Sequence, residues 1–213
     1  MSLRKIISVD YIDQTKDYPT GCESVSTVMC LNYHKIDISV DDFIKKYLDM
    51  GEFYLKEKTL YAPDPNINFV GSPYDKYSFG CFESVNEKAL NKIIKEKNLQ
   101  DIFEIKNLNG ISMEDIIKNY IDKDCPVIFW ATIDLKPMYN GRKWIIIDTE
   151  KEFTWPAREH CLLLVGYDYN EKKYYFNDPW NNNGCIGYEM SLVEQRHKEL
   201  FSMAVAIVKK SKC

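Results

Sequence analysis

One cysteine lies where a turn passes into a helix, and this residue is well placed for nucleophilic chemistry. Pro19 and Gly21 interrupt regular structure just before Cys22. The apolar residues that follow recur at helical spacing: Val25, Val28, Met29 and Leu31. Because free N–H groups and the positive end of the helix dipole favour a thiolate, we expect a lowered thiol pKa at Cys22. The alternative is a small, buried and inert cysteine.

A histidine and an aspartate far downstream could complete a catalytic group with this cysteine. His160 begins a predicted central strand, and Asp178 ends the next strand along the chain. An antiparallel hairpin brings the start of one strand to the end of the other, so the two side chains can lie side by side. The carboxylate would orient the imidazole, which would draw the proton from Cys22. Alternatively, His160 is a satisfied core histidine and Asp178 closes a turn.

Gln14 is a further candidate for the catalytic site. Gln14 lies eight positions before Cys22 and could donate its side-chain amide to an oxyanion, beside the backbone N–H of Cys22; otherwise it is a surface residue. The chain order Gln, Cys, His, Asp, with 138 positions from Cys22 to His160, is typical of papain-like enzymes. We expect the other two histidines, His34 and His197, at the surface.

The composition excludes several classes of function. The chain has 213 residues with a net charge of −4 and no basic block, which argues against nucleic-acid binding. Its seven cysteines are irregularly spaced without a paired ligand motif, which argues against a zinc site. No apolar run is long enough for a transmembrane helix. The first residues lack the apolar core of a signal peptide, so the chain is either cytoplasmic or an exported form whose signal has been removed.

The predicted elements place helices first and a mostly antiparallel sheet second, which indicates an α+β fold in a single domain over residues 1–213. Helices are predicted at about 22–33, 39–48, 86–97, 112–121 and 191–200, and strands at 6–12, 103–108, 126–132, 144–147, 160–168, 173–178 and 203–208. A hairpin turn is expected at Asn140-Gly141. Ser191 and Glu194 form a predicted capping box.

Residues 51–82 form an aromatic-rich excursion, rich in glycine and proline, between the predicted helices. Its many aromatic rings argue against disorder, so we expect an ordered, largely irregular segment packed by its own rings. Tyrosines combine an apolar ring with a polar tip and suit a wet boundary. We therefore expect residues 74–79 to border the active-site cleft, although a purely structural packing role is the alternative.

Several stretches of the sequence resemble the C39-like cysteine peptidase family of the papain-like clan. They are Gln14 with residues 18–33, and residues 126–132, 159–168 and 177–180, together with 66–74 and 77–82. The resemblance implies a papain-like fold, a triad of Cys22, His160 and Asp178, and Gln14 in the oxyanion hole. Glu23 is a departure, because the transporter-linked bacteriocin-processing branch often has glycine there.

The expected function is a thiol hydrolase that cleaves an amide bond in a peptide or peptide-like substrate without a metal or organic cofactor. An acyl or peptidyl transferase would use the same thioester, with an amine in place of water. A non-catalytic module that binds a peptide or cell-wall fragment on the same scaffold is the alternative from another class.

Overall fold

The computed structural model describes residues 3–210, which form five α-helices and thirteen strands. The helices are α1 (Cys22–Tyr33), α2 (Val40–Lys46), α3 (Glu83–Glu96), α4 (Met113–Asn119) and α5 (Met190–Glu199). The strands are β1 (Arg4–Ile6), β2 (Met50–Gly51), β3 (Tyr54–Lys56), β4 (Thr59–Ala62), β5 (Phe69–Val70), β6 (Phe103–Asn107), β7 (Val127–Thr132), β8 (Tyr139–Ile146), β9 (Glu152–Ala157), β10 (Glu159–Asp168), β11 (Lys173–Asp178), β12 (Gly184–Glu189) and β13 (Ala204–Lys209). No helix in this described part is long and apolar enough to cross a bilayer.

The main sheet is antiparallel and is built around β10. Its strand order is β12-β11-β10-β7-β13-β6, and β1 pairs with the second half of β10. Every β10 residue after Glu159 is buried, as expected for a strand covered on both faces. The predicted hairpin of β10 with β11 is confirmed, with Leu163 opposite Asn177. The fold is α+β, as the order of elements predicts.

Helix α1 packs against β10 and is buried along most of its length. Residues 22–31 are all buried, although they include four polar side chains. Ser26 Oγ donates a hydrogen bond to the backbone oxygen of Cys161 at 3.1 Å, which joins the helix directly to the strand. This contact places the first turn of α1 beside the start of β10.

A second sheet, β3-β4-β8-β9, incorporates part of the excursion over residues 51–82. Its rings pack partly on one another, as expected, with the centres of Phe53 and Phe79 5.4 Å apart. They also pack on the second sheet, where Phe79 lies 4.9 Å from Trp144 and 5.8 Å from Trp155, ring centre to ring centre. The expected turn at Asn140-Gly141 is wrong. Both residues lie inside β8, where the pairing with β9 shifts register. A bulge accommodates the turn-prone pair without ending the strand.

Two helices begin at serine residues whose side chains cap the first turn, whereas two other predicted element ends are wrong. The caps at Ser39 and Ser112 accept hydrogen bonds from Asp42 N and Asp115 N, respectively. The predicted capping box at Ser191 is wrong, since α5 begins one residue earlier, after Glu189. The strand predicted over 6–12 is also wrong: β1 ends at Ile6, and Ile7 N–H then bonds the backbone oxygen of Val165.

The two histidines expected at the surface are instead covered. His197 stacks on Phe129 with ring centres 3.9 Å apart, and its Nδ1 lies 2.8 Å from the backbone oxygen of Trp130. Burial lowers the pKa of His197 to about 4. His34 is partly buried against Phe103, and burial likewise lowers its pKa to about 4. Both histidines lie in helical stretches rich in charged residues, a pattern typical of a surface position, and the sequence does not show the contacts that cover them.

We predict that His197 makes the fold sensitive to mild acid. Its pKa rises from about 4 in the folded chain to an ordinary value of 6.5 on unfolding, so only the unfolded chain takes up this proton between those pH values. The free energy of unfolding should therefore fall with decreasing pH by up to about 1.4 kcal/mol per pH unit from this residue. His197→Gln should flatten that slope in urea titrations, whereas the neighbouring Lys198→Gln should not. Equal slopes for both variants would contradict the prediction.

Candidate active site

The predicted histidine–aspartate pair is present in the structure. His160 Nε2 lies 2.8 Å from Asp178 Oδ1, and both side chains are 2% exposed. The hairpin of β10 with β11 brings the start of one strand to the end of the other, as the sequence predicts. Because Nε2 is engaged by the carboxylate, Nδ1 is the ring nitrogen left to exchange a proton with another group.

Asp178 is held by three further donors, none of which is predicted from the sequence. Its Oδ1 accepts from the backbone N–H of Trp180 at 3.0 Å, and its Oδ2 accepts from Asn183 Nδ2 at 2.9 Å and Tyr188 Oη at 2.7 Å. Burial would raise the pKa of Asp178, but His160 and these donors outweigh it and lower the pKa to about 2. No strand is predicted over 184–189, where β12 places Tyr188 beside Asp178, so the sequence carries no signal for this contact.

Cys22 begins α1 and is 6% exposed. Its thiol donates a hydrogen bond to Glu23 Oε2 at 3.2 Å. Burial, followed by the charges of Glu23 and Glu159, raises the pKa of the Cys22 thiol well above its usual value. The expectation of a lowered pKa is therefore wrong for this arrangement. The helix terminus is present, but desolvation and adjacent carboxyl groups outweigh it.

Two glutamates lie against Cys22. One oxygen of Glu23, one oxygen of Glu159 and Sγ of Cys22 all lie within 4.8 Å of one another. Glu23 is fully buried, and its Oε1 accepts from the backbone N–H of Cys81 at 2.7 Å. Burial raises the pKa of Glu23 to about 7 and that of Glu159 well above its usual range. The spacing would also suit a metal ion, but the raised pKa of Glu159 favours its protonated, weakly ligating form.

Gln14 is buried rather than at the surface, at 2% exposure. Its backbone N–H donates to the backbone oxygen of Pro179 at 2.9 Å, which ties it to the end of β11. Its side-chain Nε2 donates to the backbone oxygens of Tyr18 and Pro19 at 3.3 and 3.4 Å. Gln14 therefore lies at the turn before Cys22, but in this arrangement its amide is occupied by the turn itself.

The excursion reaches the same turn from the other side. Thr20 Oγ1 donates to the backbone oxygens of Ser72 and Asp75 at 3.2 and 3.0 Å. The ring of Tyr74 lies 5.7 Å from that of Tyr18, and its hydroxyl donates to Asp41 at 2.5 Å. Tyr74 thus lies at the turn before Cys22, whereas Phe79 packs against the second sheet.

A helix that begins on a cysteine and packs on an antiparallel sheet carrying a histidine–aspartate pair is a papain-like arrangement. Residues 6–202 match the Peptidase_C39 like family, and the chain belongs to this family of cysteine peptidases. A search of curated protein sequences found no match.

Solved structures similar to this chain include the following two. A protein from Bacillus anthracis described as a C39-like peptidase has 22% sequence identity and a TM-score of 0.81, over 98% of this chain and 99% of that one. Xylellain, a cysteine protease from Xylella fastidiosa, has 12% identity and a TM-score of 0.46, over 99% of this chain and 87% of that one. The first comparison supports the fold described above.

We predict that Gly80 is required for the two glutamates to fit beside Cys22. A Cβ atom at Gly80 would lie 2.5 Å from Glu23 Oε1 and 3.0 Å from Glu159 Oε2, and Gly80 has φ of +152°. Gly80→Ala should therefore lower the free energy of unfolding by about 2–4 kcal/mol.

Gly110→Ala is the matched control for this prediction. Gly110 also has positive φ, at +73°, but no heavy atom lies within 4 Å of its added Cβ. It should cost only about 1 kcal/mol for the backbone conformation. Urea unfolding measures both, and equal losses would show that contact with the glutamates contributes nothing.

Proposed function

We propose that this peptidase hydrolyses an amide bond in a peptide or peptide-like substrate, with Cys22 as nucleophile, His160 as acid and base, and Asp178 as its orienting residue. The observation that carries the proposal is the buried 2.8 Å hydrogen bond between His160 and Asp178, on the strand pair that packs against the helix of Cys22. In this proposal residues 1–213 act as one peptidase unit, including the excursion at about 51–82.

The reaction begins with transfer of the Cys22 proton to His160 Nδ1. The thiolate attacks the substrate carbonyl carbon, and the C=O π electrons move onto oxygen. The backbone N–H of Cys22 stabilises this oxyanion, together with the Gln14 amide once it leaves the carbonyls of the turn. His160 then protonates the leaving amine, the C–N bond breaks and a thioester remains. Water, deprotonated by His160, attacks the thioester and releases the acid and the Cys22 thiol.

Asp178 keeps His160 ready for both proton transfers. Its low pKa keeps it ionised, so that it accepts the Nε2 hydrogen and stabilises the imidazolium. Asn183 and Tyr188 hold the other carboxylate oxygen, which limits rotation of Asp178. The imidazole therefore has one favoured orientation, with Nδ1 directed away from Asp178.

A non-catalytic binding module is the second candidate. It is favoured by one observation: the Cys22 thiol is covered and has a raised pKa, which disfavours the reactive thiolate. Such a module would bind peptides equally well after replacement of the thiol. The two candidates therefore differ in the effect of Cys22→Ala on covalent labelling and turnover.

An activity-based probe with a peptide recognition element and a thiol-reactive carbonyl tests the proposal. Mass spectrometry should locate the label on Cys22, and Cys22→Ala should abolish it. Cys185, which is exposed, provides a matched control, since Cys185→Ala should leave labelling intact. Peptide binding without labelling or turnover by the wild-type protein would favour the binding module instead.

We predict unequal losses of turnover from substitutions within the triad. On any peptide that the wild type cleaves, Cys22→Ala should remove nearly all turnover. Asp178→Ala should retain about a hundredfold more activity than Cys22→Ala, because the orienting residue is the least essential of such a triad. Asp148→Ala, at an exposed site, is the control. Wild-type turnover in a folded Asp178→Ala protein would show that another residue orients His160.

We also predict that Tyr74 restricts the size of substrates. It packs on Tyr18 and bonds Asp41, so it covers the turn that leads to Cys22. Tyr74→Ala, and to a smaller extent Tyr77→Ala, should raise kcat/KM for long or folded substrates relative to short peptides by about tenfold or less. Alkylation of Cys22 should change little. Tyr54→Ala, at another exposed tyrosine, is the control, and an unchanged ratio for Tyr74→Ala would exclude this role.

A further inference from the structure

We propose that Glu23 and Glu159 act as positioning residues that share one negative charge beside Cys22, and that this charge sets the pH at which the thiol gives its proton to His160. The inference rests on the proposed function and adds to it a determinant of nucleophile activation. It starts from the close approach of three atoms: Sγ of Cys22, one oxygen of Glu23 and one oxygen of Glu159 lie within 4.8 Å of one another.

The hydrogen bonds assign the charge to Glu23. Its Oε1 accepts from Cys81 N–H at 2.7 Å, and its Oε2 accepts from the Cys22 thiol at 3.2 Å. Both oxygens therefore serve as acceptors, as in a carboxylate. Glu23 also lies in the first turn of α1, where the helix dipole stabilises negative charge.

Glu159 has the opposite surroundings and is assigned as the neutral acid. Its Oε1 is buried without a hydrogen-bond partner among the described residues. Two carboxylates this close repel each other, with Glu23 buried and Oε1 of Glu159 buried, and ionising the second would cost more than ionising the first. The pKa of Glu159 is raised accordingly, first by burial and then by the charge of Glu23.

The other ionisable groups facing the pair do not offset its charge fully. Cys22 adjoins it on α1, Cys81 approaches from just before α3, and Cys161 and His160 approach from β10. Of these, His160 can contribute a positive charge, and it does so on accepting the Cys22 proton. The carboxylate therefore opposes the thiolate in the resting state and favours the imidazolium once formed.

This arrangement predicts an asymmetric effect of two isosteric substitutions. Glu23→Gln removes the charge, so the pH midpoint of Cys22 alkylation by iodoacetamide should fall by about one unit or more. Between pH 7, above which Glu23 is mostly ionised, and the midpoint, alkylation should be about tenfold faster. Glu159→Gln removes an acid that is already neutral, so the midpoint should stay close to that of the wild type. Glu114→Gln, at an exposed site on α4, is the control.

The measurement follows the Cys22 peptide by mass spectrometry, which separates it from the other cysteines. An unchanged midpoint in Glu23→Gln, or equal shifts in Glu23→Gln and Glu159→Gln, would overturn the proposal. Glu23→Asp keeps the charge but moves it away from Cys22 by one methylene. It should therefore lower the pH midpoint of Cys22 alkylation by less than Glu23→Gln does. If Glu23→Gln does not fold, this variant provides the same test.

A second measurement uses the wild-type protein directly. Its infrared spectrum at pH 7 should contain the carbonyl band of a protonated carboxylic acid that Glu159→Gln lacks. Absence of such a difference band would overturn the assignment of the proton. Failure of the proposed function is separate: it would appear as a Cys22 alkylation profile that His160→Ala leaves unchanged, whatever the glutamate variants do.

Discussion

The burial of α1 against β10 is the constraint on which the rest of the structure depends. Unpaired buried polar groups are costly, and three of the four polar side chains in the buried residues 22–31 have partners inside the protein. Ser24 Oγ has no hydrogen-bond partner among the described residues. Ser26 bonds the backbone of Cys161, and Asn86 Nδ2 donates to Thr27 Oγ1 at 2.6 Å. Glu23 is satisfied by Cys81. Hydrogen bonds to the polar side chains of α1 thus position the start of α3 and the end of the excursion.

The same constraint gives the excursion a structural role alongside its contacts with the turn before Cys22. Its last residues supply the N–H for Glu23, while Phe79 and Phe82 pack on Trp155 of the second sheet. Trp130 of β7 in turn donates from Nε1 to the backbone oxygen of Cys81 at 3.3 Å. Backbone hydrogen bonds and side-chain packing therefore both fix the end of the excursion. As a result, distant parts of the chain form the surroundings of Cys22.

The parts predicted well from sequence were those with a local signal. The turn before Cys22 and the apolar spacing after it predicted α1, and two neighbouring β-prone runs predicted the hairpin that joins His160 to Asp178. The errors have tertiary causes. Asn140-Gly141 is accommodated by a bulge, and His197 is covered because Phe129 stacks on it. The pKa of Cys22 is raised first by burial between helix and sheet, a tertiary effect that the local turn-and-helix pattern does not show.

The covered state of Cys22 also bears on how the protein withstands oxidants. Peroxides attack thiolates, and damage follows both thiolate character and exposure. A neutral thiol that is 6% exposed is a slow target, as are the buried sulfurs of Cys30, Cys81, Cys125 and Cys161. Among the cysteines in residues 3–210, oxidation is then directed to Cys185, the exposed one, on β12. The thiol of Cys22 therefore stays reduced while α1 and the main sheet cover it.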